Sequence, residues 1–149
     1  MLAQDFTLTA EDIGLGILAV LAYAALGLAL LVAGYRLLDA LTPGRLSALI
    51  CEERNSNAAR LTVAHLSAVT LVVATAALSS VGGRFGALLD MAVFGTLGLV
   101  LQAVAFRLLD RITPGNLGEL VTAPEPHPAT LVTGAWIIAT SVVLAVAIV

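Results

Sequence analysis

The segment YRLLDALTPGRL at residues 35–46 returns as FRLLDRITPGNL at residues 106–117, with eight of twelve positions identical and a shift of 71. Each copy follows one long apolar stretch and precedes another. Self-similarity of this kind marks a duplicated supersecondary unit. The chain therefore reads as two tandem membrane hairpins, residues 1–80 and 81–149.

Composition agrees. Apolar residues make up 60 % of the 149 and charged residues 11 %. Mean hydropathy is +1.04. A soluble domain carries about a quarter charged residues to keep its surface in water. The seven basic residues are all Arg and lie scattered, and the net charge is only −3, so there is no nucleic-acid footprint. One cysteine, Cys51, excludes an intrachain disulfide and a cysteine-rich metal cluster.

Four segments reach spanning length: Ile13 to Gly34, Leu61 to Ser80, Ala87 to Phe106 and Ala129 to Val149. About twenty residues at ~1.5 Å each cross a ~30 Å hydrocarbon core, and only helices satisfy their own amides there. The expected class is an all-α integral membrane protein with four transmembrane helices in two parallel-repeat hairpins, related by an axis along the membrane normal. The first span has no basic n-region and is the counterpart of the third, so it reads as retained rather than as a signal peptide. Arg36, Arg45, Arg54 and Arg60 lie between spans one and two, and Arg107 and Arg111 between three and four. The other side holds Arg84, with Asp5, Glu11 and Asp12 at the N-terminus and Asp90 at the outer end of the third span, placed to pair with Arg84 or to meet water. This asymmetry predicts cytoplasmic loops in the plasma (inner) membrane, with both termini outside.

Each long loop opens Thr-Pro-Gly, at Thr42-Pro43-Gly44 and Thr113-Pro114-Gly115. Thr then Pro suits an N-cap and first helical position. Leu46, Leu49 and Ile50, echoed by Leu117, Leu120 and Val121, fall at i, i+3, i+4. Short interfacial helices on the membrane surface are expected there.

Gly16, Tyr23, Gly27 and Gly34 of the first span fall within about 40° at 100° per residue. Met91, Gly95, Gly98, Gln102 and Ala105 share a face of the third. Small residues let helix backbones approach closely in lipid, so the first and third spans are expected to pack through Gly27 and Gly98. Thr130, Thr133, Gly134, Thr140 and Ser141 form a face on the fourth span suited to interhelical hydrogen bonds.

Few residues offer chemistry. His65 lies in the second span, opposite Trp136 under the 71-residue shift. A membrane histidine invites a proton-relay reading, but no His, Cys or carboxylate stands at i±3 or i±4, and a metal site would lack ligands. It reads first as a bundle histidine. Gln102 is an intramembrane amide suited to a helix-packing hydrogen bond. The RLLD tetrads, Arg36/Asp39 and Arg107/Asp110, read as interface anchors whose arginines snorkel to lipid phosphates. Crossed contacts between the repeats, Arg36 to Asp110, are the second reading.

These features resemble the bacterial membrane family known as domain of unknown function 350. That resemblance rests on the doubled turn, Asp39-Ala40-Leu41-Thr42-Pro43-Gly44 and Asp110-Arg111-Ile112-Thr113-Pro114-Gly115, and on Asn57-Ala58-Ala59 opening a helix. The second copy departs, with His127-Pro128-Ala129 where the asparagine would stand. The resemblance implies a plasma-membrane protein with no family-wide activity. In some members it also carries a hint of association with polyamine aminopropyltransferase-like enzymes.

The functional expectation is a structural or partner-binding subunit of a membrane assembly, without catalysis, cofactor or metal. Its expected partners are the lipid bilayer and either another copy of itself or another membrane protein. A small-solute transporter or channel at the repeat or subunit interface is the alternative. An enzyme would need a fold that brings His65 beside Asp39, Asp110 or Cys51.

Overall fold

The computed structural model describes residues 10–80, 82–113 and 117–149. Asp5, Pro114, Gly115 and the side chain of Arg84, and with it the expected Asp90 pairing, lie outside the described residues. Six helices follow in order: α1 Ala10–Leu41, α2 Leu46–Cys51, α3 Ser56–Leu78, α4 Gly83–Ile112, α5 Leu117–Thr122 and α6 Pro128–Ile148. Among the described residues there is no strand. The helices α1, α3, α4 and α6 are long and apolar enough to cross a membrane.

The helices outrun the expected spans. With 32 and 30 residues, α1 and α4 measure about 48 and 45 Å at ~1.5 Å per residue, well beyond a ~30 Å core. Each RLLD tetrad therefore forms the last turns of a continuous helix. Thr42 and Thr113 close those helices by donating Oγ1 to the carbonyls of Leu38 and Leu109, at 2.9 and 2.8 Å.

In the first loop the expected Thr-Pro N-cap is not what forms. Gly44 reverses the chain at φ +90°, a conformation that costs glycine little, and α2 starts only at Leu46. The capping acceptor is Asp39, whose Oδ1 takes the Leu46 N–H at 2.7 Å. Asp110 takes the Leu117 N–H at 3.0 Å in the same way. Nor is the apolar stripe of the short helices left for lipid. Leu46, Leu49, Leu117 and Val121 are buried, and Leu46, Leu49 and Val121 join Leu38, Ala58, Leu61, Phe106 and Ile137 in the core at this end of the bundle.

In cross-section α3 and α4 form the central pair, with α1 and α6 on opposite sides, and α3 touches all three other spans. A closed two-fold would require α1 to meet α6 as α3 meets α4, and it does not. The most extensive pairing is α3 with α6. There the Cβ of an alanine at Gly134 would stand 3.1 Å from the Ala64 Cβ. Second to it, α3 packs on α4 with Gly98 against Val72.

This corrects the expected glycine seam. Gly27 does face α4, through Met91. Gly98 faces Val72 of α3, and Gly95 is the α4 glycine set against Leu30 of α1. A helical face only ~100° wide can serve two neighbours when its helix sits between them. The hydroxyls of α6 also turn inward on their own helix: Thr133, Thr140 and Ser141 donate to the carbonyls of Ala129, Trp136 and Ile138. That face gives close approach rather than interhelical hydrogen bonds.

Candidate functional site

The densest polar construction joins the two halves beside α2 and α5. It begins at Arg54, a non-glycine residue with φ +53°, which turns the chain back after α2 so that the Asn55 N–H reaches the Leu49 carbonyl at 2.8 Å. Asn55 then caps α3: its Oδ1 accepts from the N–H groups of Asn57 and Ala58 at 2.9 and 3.1 Å. Its Nδ2 donates across to the carbonyls of Thr122 and Ala123, both at 3.0 Å. Asn57, 0 % exposed, donates Nδ2 to Ala123 and Glu125 carbonyls at 3.1 and 2.7 Å and accepts the His127 N–H at 2.9 Å.

Two side chains thus bond three carbonyls and one N–H between Thr122 and His127, and Asn55 satisfies the start of α3 as well. Buried backbone groups that leave a helix must find partners, and an amide side chain offers donors and acceptor together. On the other side His127 caps α6 with Nδ1, taking the Ala129 N–H at 3.1 Å. His127 therefore stands where Asn55 stands, not where Asn57 does. Asn55 is the member of this clamp that the sequence reading missed; its signal was an N-cap residue directly before Ser56-Asn57-Ala58.

The offset between the caps is 72, one more than between the turns. Burial follows the longer offset: Ala58 and Thr130, Leu61 and Thr133, His65 and Ile137, Val69 and Ser141, Val73 and Ala145 are all buried. The counterpart of His65 is Ile137. Trp136, 38 % exposed, is not.

His65 itself is 2 % exposed and its Nε2 donates to the Gly34 carbonyl of α1 at 3.1 Å. A carbonyl only accepts, so Nε2 carries the proton. An added Cβ at Gly34 would sit 2.9 Å from Val69 and 3.3 Å from Leu99, which makes this the crossing of α1, α3 and α4. His65 ties that crossing and is a bundle histidine in this sense.

Gln102 is equally buried, yet neither Oε1 nor Nε2 has a hydrogen-bond partner, and the Thr130 hydroxyl is likewise unpaired. The helix-packing bond expected of Gln102 is not made.

Arg36 and Arg107 are exposed, and among the described residues no ion pair joins either to Asp39 or Asp110. The carboxylates serve the short helices instead. Asp39→Ala and Asp110→Ala are each expected to lower stability by about 1 kcal/mol, the usual worth of a cap. An Arg36→Ala/Asp110→Ala cycle is expected to be additive in detergent unfolding. Coupling above about 0.5 kcal/mol would restore the crossed-contact reading.

Among the described residues no hydrogen bond joins His65 to Asp39, Asp110 or Cys51. His65 is engaged by Gly34, Asp39 and Asp110 by backbone N–H groups, and Cys51 is exposed at the end of α2. Among the described residues no three His, Cys, Asp or Glu side chains group as metal ligands.

The family model described as Domain of Unknown Function (DUF350) matches residues 12–148. A UPF0719 transmembrane protein of Mycobacterium bovis is 34 % identical over 145 residues, covering 97 % of this chain and 95 % of its own. A second, from Mycolicibacterium paratuberculosis, is 33 % identical over 133 residues, covering 89 % and 88 %. No solved structure matches the chain.

Proposed function

Since the chain belongs to the Domain of Unknown Function 350 family and is a multi-pass membrane protein, we propose that it acts without catalysis, as a structural subunit assembling with itself or another membrane protein. The one-sidedness of α1 carries this reading. From Glu11 to Ala29 no residue of α1 is buried; only Leu30, Gly34 and Leu38, spaced by four, are. Helices in lipid associate through packed contacts, and the outer half of α1 makes few of its own. The groove beside it, about 730 Å³ between α1 and α3 and lined by Leu28, Val32, Tyr35 and Val63, is apolar and opens sideways.

Native mass spectrometry of protein released from its own membrane is expected to give a mass above the 15.2 kDa of one chain. Leu18→Trp, on the exposed face of α1, should dissociate that assembly, because fluid lipid accommodates an indole and a packed interface does not. A monomer in both cases would sink the proposal.

The duplicated turns, with matched carboxylate caps, support an origin in two hairpins. The exposed arginines Arg36, Arg45, Arg54, Arg60, Arg107 and Arg111 support a cytoplasmic location for this end, with the termini outside the plasma membrane. Native Cys51 is exposed and should label only from the cytoplasmic side. Gly82→Cys in a Cys51→Ala background should label only from outside. Labelling of both from one side would refute the hairpin topology.

The unpaired Gln102 and Thr130 favour one alternative, a transporter or channel, since polar groups inside a membrane often line a path. Solute flux into liposomes by protein that stays monomeric would put this reading in place of the first.

A further inference from the structure

The groove between α1 and α4 ends on a charge. Ala33 and Leu37 form one wall, and Val100, Ala103 and Val104 the other, which terminates at Arg107. From Thr96 to Arg107 that wall rises about 16 Å, close to half of a ~30 Å hydrocarbon core, the depth of one leaflet. With Thr96, near the middle of the Phe85–Ile112 span, at the midplane, Arg107 falls at the depth of lipid phosphates. It is exposed, and Asp110, the carboxylate one turn on, is engaged by the Leu117 N–H. Arg107 has no ion-pair partner among the described residues.

We propose that this groove binds one anionic phospholipid, with an acyl chain between α1 and α4 and the phosphate on Arg107. The volume of about 360 Å³, spread over ~16 Å, gives a mean section of about 22 Å². A single hydrocarbon chain fills that section, about a quarter of the ~80 Å² of a helix ~10 Å across. Ala33 and Ala103 keep the slot open, and the guanidinium suits a phosphate oxygen pair better than a point charge would. Basic residues between spans at the cytoplasmic face are where anionic headgroups dock.

The test uses Val104→Trp in a Trp136→Phe background, reconstituted with brominated phosphatidylglycerol or brominated phosphatidylcholine at equal mole fraction. The groove indole should be quenched with about fivefold preference for the anionic lipid. Arg107→Gln should abolish that preference. Arg36→Gln, which changes an arginine outside the groove, should leave it intact. In parallel, the chain without the reporter should gain thermal stability in detergent from phosphatidylglycerol but not from phosphatidylcholine or inorganic phosphate, and Arg107→Gln should lose that gain. Equal quenching by both lipids with no selective stabilisation would overturn the proposal. So would an indole shielded from both lipids in a dimer, which would place a second copy over the groove.

Discussion

Asn57→Ala is expected to be the most damaging single truncation in this chain. It removes both donors to Ala123 and Glu125 and the acceptor for the His127 N–H, all around a side chain with no exposed surface. Each orphaned buried group costs about 1–3 kcal/mol, and several together should reach ~3–5 kcal/mol after relaxation. Asn55→Ala should cost about 2 kcal/mol, from the lost α3 cap and the lost contacts to Thr122 and Ala123. The two amides share the Ala123 carbonyl, so the double mutant should cost less than the sum. Thermal unfolding in detergent measures all three. A wild-type transition for Asn57→Ala would show that the clamp does not hold the halves together.

Gly98→Ala should follow, at about 1–3 kcal/mol, the range for overfilling a packed site. The new Cβ would lie 2.5 Å from Val72 Cγ1 and 3.4 Å from its Cβ, and a β-branched side chain on a helix has little rotamer freedom with which to withdraw. Gly27→Ala is the informative contrast. Its Cβ would meet only the terminal methyl of Met91, at 3.2 Å, and methionine moves aside readily; a change below about 0.5 kcal/mol is expected. Val72→Ala should recover most of the Gly98→Ala loss. Equal effects at Gly27 and Gly98 would return the α1–α4 seam to favour.

Periodicity and spacing conveyed the spans because bilayer thickness acts on sequence directly, residue by residue. They conveyed less about partners. The RLLD arginine and aspartate are adjacent in helical projection, but which group satisfies Asp39 depends on where Gly44 turns the chain, and the turn brings Leu46 to it. Asn57 was singled out only through the resemblance, as the opening of a helix. Its three partners on the 123–127 link could not be seen from local pattern, since they lie about seventy residues away. The Trp136 correspondence failed for a simple reason: one additional residue in the second link shifts a helix by 100° and exchanges an exposed face for a buried one.

The sequence by itself determined that this is a membrane protein of four apolar spans with a doubled polar turn, because exclusion of water from the hydrocarbon leaves a helix as the available form for such segments. Only the tertiary structure decided which faces meet. It set Gly98 against α3, drew Asn55 and Asn57 onto the far link, gave His65 the Gly34 carbonyl, and left Gln102 unpaired. Lipid does not choose among the faces of a helix as water does, so the choice falls to shape and to hydrogen bonds between residues distant in the chain.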